Sequence, residues 1–152
     1  MSRHEDDICI RLMHNVLQEY PYMRWQMFHV PNEGKRKPQY RAKMAKMGLV
    51  SGVSDYVIHK PSGGYPGLYL EVKTKTGTPS ENQLTFMREV RLNGYMGIFG
   101  YGYEECHYIC KEWIDGNAGR IVWMQECDKK RERNAGWKAR TNDATTEKAM
   151  RG

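Results

Sequence analysis

The stretch that decides the fold consists of two strand-like segments, SGVSDYVIH (51–59) and LYLEVK (68–73), joined by KPSGGYPG (60–67). Both outer segments alternate in the manner of β-strands, and the joining segment is dense in glycine and proline. The sequence therefore predicts a β-hairpin. Asp55 lies near the start of its first strand and Glu71 near the end of its second, so antiparallel pairing would bring the two carboxylates close together.

The second strand of this hairpin separates two kinds of side chain. Because side chains alternate along a strand, Glu71 and Lys73 point to one face while Leu70 and Val72 point to the other. The apolar pair is expected to anchor the strand. Glu71 and Lys73 are then neighbours on one surface.

The acid-x-lysine pattern by itself has little weight, because it occurs at 33–35, 71–73 and 128–130. Glu33 lies in a Pro-Asn-Glu-Gly loop with no acidic residue on a preceding strand, and Asp128 opens a charged segment after the last apolar run. Only Glu71 lies on a predicted strand that pairs with an aspartate-bearing strand. This context singles out Asp55, Glu71 and Lys73.

These three residues have a chemistry in common with metal-dependent phosphodiesterases. Mg²⁺ prefers oxygen ligands and retains several waters, so two carboxylates, a phosphate oxygen and a backbone carbonyl such as that of Val72 could hold it. A lysine beside the metal can orient water or offset charge on the phosphate. The alternative is a solvated charge pair formed by Glu71 and Lys73 on the surface of the sheet.

Composition bounds the class of protein. The 152 residues fit one domain, and a net charge of +6 with a pI near 9.1 favours an anionic partner such as nucleic acid. No apolar run reaches the ~18 residues of a membrane span, and the acidic start MSRHEDDICI does not resemble a signal peptide. We therefore expect a cytoplasmic protein that does not associate with a membrane.

The four cysteines of the chain lack C-x-x-C spacing. Buried thiols are therefore favoured over a zinc-binding fragment at Cys106, His107 and Cys110.

Two helices have clear start signals. Ser2 and Glu5 form a predicted capping box ahead of an apolar stripe, which places a carboxylate at the end of a core-facing helix. In TPSENQLTFMREVRLNG (78–94), Thr78 is the predicted N-cap, Pro79 the first helical residue and Glu81 the capping-box acid. Gln83 then falls in the first turn, near the end of the preceding strand.

The remaining segments complete an α/β order. We predict strands over WQMFHV (25–30) and YMGIFG (95–100), a helix over YEECHYICKEWI (103–114), and a last strand or packing segment over GRIVWMQ (119–125). A short basic helix is expected within KRKPQYRAKMAKMG (35–48), with Tyr40, Met44 and Met47 as its apolar edge. The architecture is a mixed central sheet flanked by helices.

The basic residues fall into two groups. One group is expected to contact phosphates, with a solvated basic face as the alternative: Lys35, Arg36, Lys37, Arg41, Lys43, Lys46 and Lys75. The other lies in residues 128–152, which carry eight Lys or Arg against four acids and almost no apolar residues. The sequence therefore predicts a domain over 1–127 and a mobile basic tail over 128–152.

The ordered motifs together resemble the PD-(D/E)XK nuclease superfamily and, more narrowly, the VRR-NUC family of phage, bacterial and DNA-repair nucleases. The resemblance covers about residues 5–115. It is carried by HVPNE (29–33), the basic segment ending at Gly48, GVSD (52–55), LEVK (70–73), SENQ (80–83) and LNGY (92–95). Ser54 stands where that superfamily often has proline, which affects the backbone rather than the chemistry.

The resemblance implies a restriction-endonuclease-like core in αβββαβ order and a nuclease that depends on Mg²⁺ or Mn²⁺. Asp55 and Glu71 would be metal ligands, Lys73 the catalytic lysine, Gln83 the glutamine of the following helix, and Glu5 the acid of the first helix. Glu19 is the other acid of that helix that could take the last role.

The function expected from this resemblance is a DNA endonuclease, with branched or junction DNA in replication, repair or recombination as its substrate. It would act in the cytoplasm of a bacterial or phage-infected cell. A homodimer would suit a symmetric substrate, and no helicase or other protein partner is specified by the sequence. The alternatives are a non-catalytic basic nucleic-acid-binding protein and a restriction-type nuclease. Clustered carboxylates repel phosphate, which disfavours the first alternative.

Overall fold

A four-stranded mixed sheet flanked by helices organises the part of the chain that the computed structural model describes, residues 2–31, 36–134, 137 and 144–152. The helices are α1 (Arg3–Glu19), α2 (Pro38–Lys46), α3 (Glu81–Leu92), α4 (Tyr103–Ile114), α5 (Val122–Arg133) and α6 (Ala144–Arg151). The strands are β1 (Met27–His29), β2 (Tyr56–Ile58), β3 (Leu68–Lys73) and β4 (Met96–Tyr101). Short 3-10 helices lie at Pro21–Trp25 and Ala118–Arg120. The predicted α/β class is confirmed.

The sheet order is β1-β2-β3-β4, with antiparallel pairing except between β3 and β4, which are parallel. The predicted hairpin is therefore present as β2 and β3. Its register pairs Tyr56 with Leu70, so one step further along places Asp55 opposite Glu71. This register is what brings the two carboxylates to the same end of the sheet.

Helix α1 has the predicted start. The Ser2 side chain accepts a hydrogen bond from the Glu5 N–H, and the Glu5 carboxylate accepts one from the Ser2 N–H. The apolar side of α1, formed by Cys9, Leu12 and Val16, is buried against the sheet and α4. The capping box thus fixes Glu5 at the end of a packed helix.

The predicted start of α3 is wrong by two residues. Ser80, not Thr78, is the N-cap, and Gln83 rather than Glu81 completes the capping box. The segment contains both Thr-x-x-Glu and Ser-x-x-Gln, and either satisfies the sequence rule. The second is used, which gives Gln83 a role at the end of β3.

The side of the sheet next to α3 has a small core of its own. Met87 and Val90 pack against Phe99 and Tyr101 of β4. Gly97 permits this approach, because a Cβ at that position would lie 2.4 Å from the Met87 sulfur. Helix α3 therefore lies close to β4, with its N-terminus near the end of β3.

Helix α5 bears on two predictions. Residues 119–125 form no strand but pack on the core as they lead into α5, with Ile121 and Met124 buried, which is the second of the two predicted alternatives. Helix α5 also continues past the domain boundary predicted at residue 127. Gln125 and Asp128 are buried, and their side chains accept hydrogen bonds from the Gly97 and Phe99 N–H groups, at 2.8 and 3.1 Å. Residues 128–133 are thus part of the fold, because α5 covers the free edge of β4.

Helix α2 forms as predicted, but its expected apolar edge does not pack into the core. Tyr40 is 47% exposed and Met47 70% exposed, while Met44 is half-buried. The basic residues from Arg36 to Lys46 accordingly lie at the surface. Lys35 and the acid-x-lysine copy at 33–35 fall outside the described residues.

Two expectations about composition can be compared with the structure. All four cysteines are free thiols, with Cys9, Cys106 and Cys110 buried, as expected for structural cysteines. Among the described helices, none is both long and apolar enough to cross a lipid bilayer.

Candidate active site

Asp55 ends the loop that leads into β2 and is 7% exposed. Its backbone carbonyl accepts a hydrogen bond from the Val30 N–H at 2.8 Å, which ties it to the end of β1. Its side-chain Oδ2 accepts from the Val72 N–H, also at 2.8 Å. The carboxylate is therefore clamped between two strands and directed at the backbone between Glu71 and Lys73.

Glu71 is the most buried acid of this group, at 4% exposure. Its Oε1 accepts a hydrogen bond from Gln83 Nε2 at 2.6 Å, whereas no N–H or hydroxyl group of the described residues donates to its buried Oε2. A buried acceptor without a donor costs ~1–3 kcal/mol, and a charged one costs more. Such an atom in a native site calls for an explanation, and a bound cation is one.

Gln83 is itself held in position by the start of α3. Its Oε1 accepts a hydrogen bond from the Ser80 N–H at 2.9 Å, while its Nε2 donates to Glu71. Both ends of the amide are thereby used, and the side chain is 8% exposed. The alternative of a solvent-facing helix residue is excluded, and Gln83 connects the helix cap to the Glu71 carboxylate.

Lys73 lies between two carboxylates. Its Nζ is 3.8 Å from Glu5 Oε1 and 3.8 Å from Glu71 Oε1, and its side chain is 9% exposed. Glu5 is therefore the first-helix acid that joins the group. Glu19 lies elsewhere and pairs with His107 at 2.5 Å.

The electrostatics of the group oppose ionisation of both buried acids. Burial raises the pKa of Glu71 well above its usual range, the neighbouring Asp55 raises it further, and Lys73 acts in the opposite direction. Burial also raises the pKa of Asp55, although the Val72 N–H, His29 and Lys73 lower it. One lysine does not offset the concentrated negative charge, so a further cation would stabilise the ionised pair.

The residues fit a hard divalent cation. Asp55 and Glu71 supply carboxylate oxygens, and Val72, whose N–H is bound by Asp55, has its carbonyl between Glu71 and Lys73 along the strand. Across the described ranges, no group of three or more His, Cys, Asp and Glu side chains could hold a metal ion. Two carboxylates leave room for backbone, substrate and water oxygens, which is the composition Mg²⁺ tolerates.

The arrangement of strands and helices that carries this site is found in a known structure. The chain is similar to the solved structure of a "VRR_NUC domain protein", with a TM-score of 0.66 and 19% sequence identity, over 76% of this chain and 92% of the other. The chain has the VRR_NUC fold. No protein-family model matches the sequence, and no curated protein matches it.

The VRR_NUC fold confirms the predicted resemblance at the level of architecture. It also accounts for the order of the motifs along the chain, because the first helix, the hairpin and the following helix each contribute to one end of β3. The structure brings together Glu5, Asp55, Glu71, Lys73 and Gln83. The catalytic and metal-binding roles assigned to these residues remain predictions.

The predicted phosphate-contacting residues lie on two segments around this site. The loop after α2 packs on the start of α3, where a Cβ at Gly52 would lie 2.5 Å from the Asn82 carbonyl and Ser51 Oγ accepts from Asn82 Nδ2. This contact anchors the basic segment next to Gln83. Lys75, exposed two residues beyond Lys73, packs its stem on Gly102.

Two residues beside the site, His29 and Ser80, had no role of their own in the sequence-based prediction. The His29 ring lies 5.3 Å from the Tyr56 ring, and its charge lowers the pKa of Asp55. Ser80 positions Gln83 through the capping box. The Ser-x-x-Gln spacing in the sequence is the signal that could have predicted this role. His29 had no such signal, since its proximity to Asp55 depends on the pairing of β1 with β2.

Proposed function

We propose that this protein is a DNA endonuclease whose activity depends on Mg²⁺ or Mn²⁺. The observation that supports the proposal best is the buried pair of carboxyl groups Asp55 and Glu71, with no N–H or hydroxyl group of the described residues donating to Glu71 Oε2 and with Lys73 adjacent. A similar fold occurs in the protein named for its VRR_NUC domain. The surface charge and the exposed basic helix α2 are consistent with DNA as the bound polyanion.

Each residue of the site has a separate role in this proposal. Asp55 and Glu71, with the carbonyl of Val72, would hold the cation, which supplies Lewis-acid polarisation of the phosphate and activation of water. Lys73 orients the attacking water or offsets charge developing on the phosphate oxygens. Gln83 fixes the rotamer of Glu71 by donating to Oε1.

Glu5 has an indirect part in this scheme. Its carboxylate is fixed by the capping box of α1 and lies 3.8 Å from Lys73 Nζ. It therefore positions the ammonium group of Lys73 in a buried setting. Without Glu5, the position of Lys73 would depend on Glu71 alone.

The finer proposal concerns the substrate. A structure-specific endonuclease for branched or junction DNA, acting as a homodimer in replication, repair or recombination, suits a compact catalytic domain with a basic surface. A restriction-type enzyme would need an additional recognition element. A non-catalytic binder would gain nothing from a buried pair of carboxylates that costs stability and repels phosphate.

The proposal is tested with labelled duplex, flap, single-stranded and four-way-junction DNA, each incubated with Mg²⁺, Mn²⁺ or EDTA. Metal-dependent cleavage of at least one substrate is expected from the wild type and is expected to be lost in Lys73→Ala. Lys111→Ala is the matched control, because Lys111 is an exposed residue of α4 paired with Asp115. Binding without cleavage of any substrate, or equal cleavage by Lys73→Ala, would contradict the proposal.

A further inference from the structure

A basic cleft lies between α3 and α5, away from the predicted phosphate-contacting residues. Its volume is ≈300 Å³, and we call it the α3–α5 cleft. It is lined by Arg88, Arg91, Leu92, Lys129, Glu132 and Arg133. Four cations against one carboxylate give the lining a charge of +3, and Glu126, which pairs with Lys129 from outside the lining, reduces this to +2.

One part of the cleft is a fixed framework. The Glu132 carboxylate accepts from Arg88 Nε and Arg91 Nη1, each at 3.0 Å, and Arg91 Nε donates to the Gly97 carbonyl at 3.1 Å. These bonds hold both guanidinium groups in place before any ligand arrives. A preorganised arginine pair is a good phosphate site, because guanidinium donors match phosphate oxygens geometrically.

The framework leaves donor capacity unused. The Arg91 side chain is only 8% exposed, and its buried Nη2 has no hydrogen-bond partner among the residues that the structure describes. Arg88 is 58% exposed at the rim, and Arg133 is exposed as well. The cleft therefore combines a buried, partly unsatisfied guanidinium with cations that remain accessible from solvent.

The alternative is that these cations only offset the partial negative charge at the C-terminal ends of α3 and α5. Arg91 and Leu92 lie in the last turn of α3 and Arg133 in the last turn of α5, where the partial negative charge of the helix favours cations. That effect acts within the last turn. It does not account for Arg88 or for Lys129, which lies four residues before the end of α5.

The position of the cleft relates it to the candidate active site. Arg88, the first α3 residue of the lining, lies five residues beyond Gln83 and Arg91 lies eight beyond it, so the two arginines follow Gln83 by ~7.5 and ~12 Å along α3. This corresponds to the rise of about two to four base pairs of duplex DNA at ~3.4 Å each. On this spacing, a backbone phosphate about two to four base pairs from a scissile phosphate at Lys73 is the expected ligand of the cleft.

We propose that the α3–α5 cleft binds a backbone phosphate of the DNA substrate, beyond the scissile position. The inference rests on the proposed function for the identity of the polyanion. It extends the DNA contact to residues 129–133, which the sequence assigned to a mobile tail. Lys129 and Arg133, four residues apart on α5, supply the accessible charge, and the arginines of α3 supply the directed donors.

The test is fluorescence-anisotropy titration of a labelled duplex in EDTA, across a series of salt concentrations, so that binding is measured without cleavage. The double variant Lys129→Gln/Arg133→Gln is compared with Lys130→Gln/Lys111→Gln, which removes the same charge outside the cleft. Each lost phosphate contact should weaken binding roughly eightfold at 0.1 M salt and reduce the salt slope by about 0.9. The control double variant should show a smaller loss.

A second arm shortens the duplex from either end. The difference between wild type and the cleft variant should disappear once the shortened duplex no longer reaches the cleft. Equal affinities and slopes for the two double variants, with unchanged melting temperatures, would show that the cleft is only an ion-paired junction between helices. Absence of metal-dependent cleavage alongside cleft-dependent binding would instead contradict the nuclease proposal while leaving this one intact.

Discussion

Replacing Glu71 by glutamine should make the metal-free protein more stable while abolishing cleavage. Glu71 Oε1 accepts from Gln83, and a glutamine oxygen can accept the same bond. Oε2, which is buried without a partner, becomes an amide nitrogen next to the Asp55 carboxylate that raises the pKa of Glu71. A repulsive contact is thus replaced by a possible hydrogen bond.

The expected size follows from these contacts. Providing a hydrogen-bond partner for an unsatisfied buried polar atom raises the free energy of unfolding by ~1–3 kcal/mol. Part of this is offset because Lys73 loses one of its two carboxylates, but Glu5 remains 3.8 Å away and keeps the ammonium group paired. A net gain of about 1 kcal/mol corresponds to a rise in melting temperature of ~2–4 °C for a domain of this size.

The stability difference between Glu71→Gln and wild type should depend on pH. Because the pKa of Glu71 is raised above its ordinary value of 4.5 in the folded protein, the folded state holds the proton over a range where the unfolded state has lost it. Wild-type stability therefore falls as the pH rises through that range. The advantage of Glu71→Gln should be largest near neutral pH and vanish below about pH 4, where the carboxyl is protonated in both states.

Thermal and urea unfolding in EDTA at several pH values measure this difference. Glu112→Gln is the matched control, because Glu112 is similarly buried but accepts from Asn117 at 3.1 Å and pairs with Arg120 at 3.3 Å. The same substitution there should destabilise the protein. The reasoning is refuted if Glu71→Gln is less stable than wild type at pH 7, or if its advantage persists unchanged at pH 3.

Three further substitutions probe the framework around the site. Gln83→Met should lower the cleavage rate, because Glu71 loses its fixed donor, and should cost ~1 kcal/mol in unfolding free energy through the lost helix cap. Gly97→Ala should cost ~1–3 kcal/mol, since the new Cβ would lie 2.4 Å from the Met87 sulfur, and urea unfolding should show it. Asp128→Ala should cost ~1–3 kcal/mol and speed amide exchange in β4, because it removes the buried acceptor that α5 provides.

Two substitutions serve as controls, one for Gly97→Ala and one for Asp128→Ala. Gly119→Ala adds a Cβ with no atom within 4 Å, and Glu126→Ala removes an acid of α5 that is exposed and pairs only with Lys129 among the described residues. Neither should change the unfolding free energy by more than ~0.5 kcal/mol. A cost for Gly97→Ala no larger than that for Gly119→Ala would show that α3 can move away from β4.

The elements that the sequence predicted well are those with local signals. The capping box at Ser2, the turn-rich segment before β3 and the terminating Gly94 each depend on neighbouring residues alone. The approach of Asp55 to Glu71 required only the assumption that consecutive strands pair antiparallel. The site could be anticipated because its spacing is set by one hairpin and one helix start.

The features that the sequence missed depend on contacts between distant segments. Helix α5 presents the polar residues Gln125 and Asp128 to the edge of β4. The spacing of apolar residues therefore did not predict that this helix packs on that edge. Trp25, expected in a strand, is 80% exposed in a 3-10 helix. Polar residues that bind a sheet edge cannot be distinguished from solvent-facing ones until the edge is known.

The carboxylate of Glu71 is bound differently from those of Glu132 and Asp128. Glu132 has one arginine on each oxygen, and Asp128 has the Phe99 N–H on one oxygen and Arg131 on the other. In Glu71, both Gln83 and Lys73 approach Oε1, and no donor from the described residues reaches Oε2. Donors on a single oxygen also occur at Glu112, where Asn117 and Arg120 both bind Oε2, so this pattern alone does not identify a metal ligand. Glu71 lies, in addition, beside the second buried carboxylate of Asp55 and the ammonium group of Lys73. The combination of two buried carboxylates and a lysine is what favours a divalent cation at Glu71.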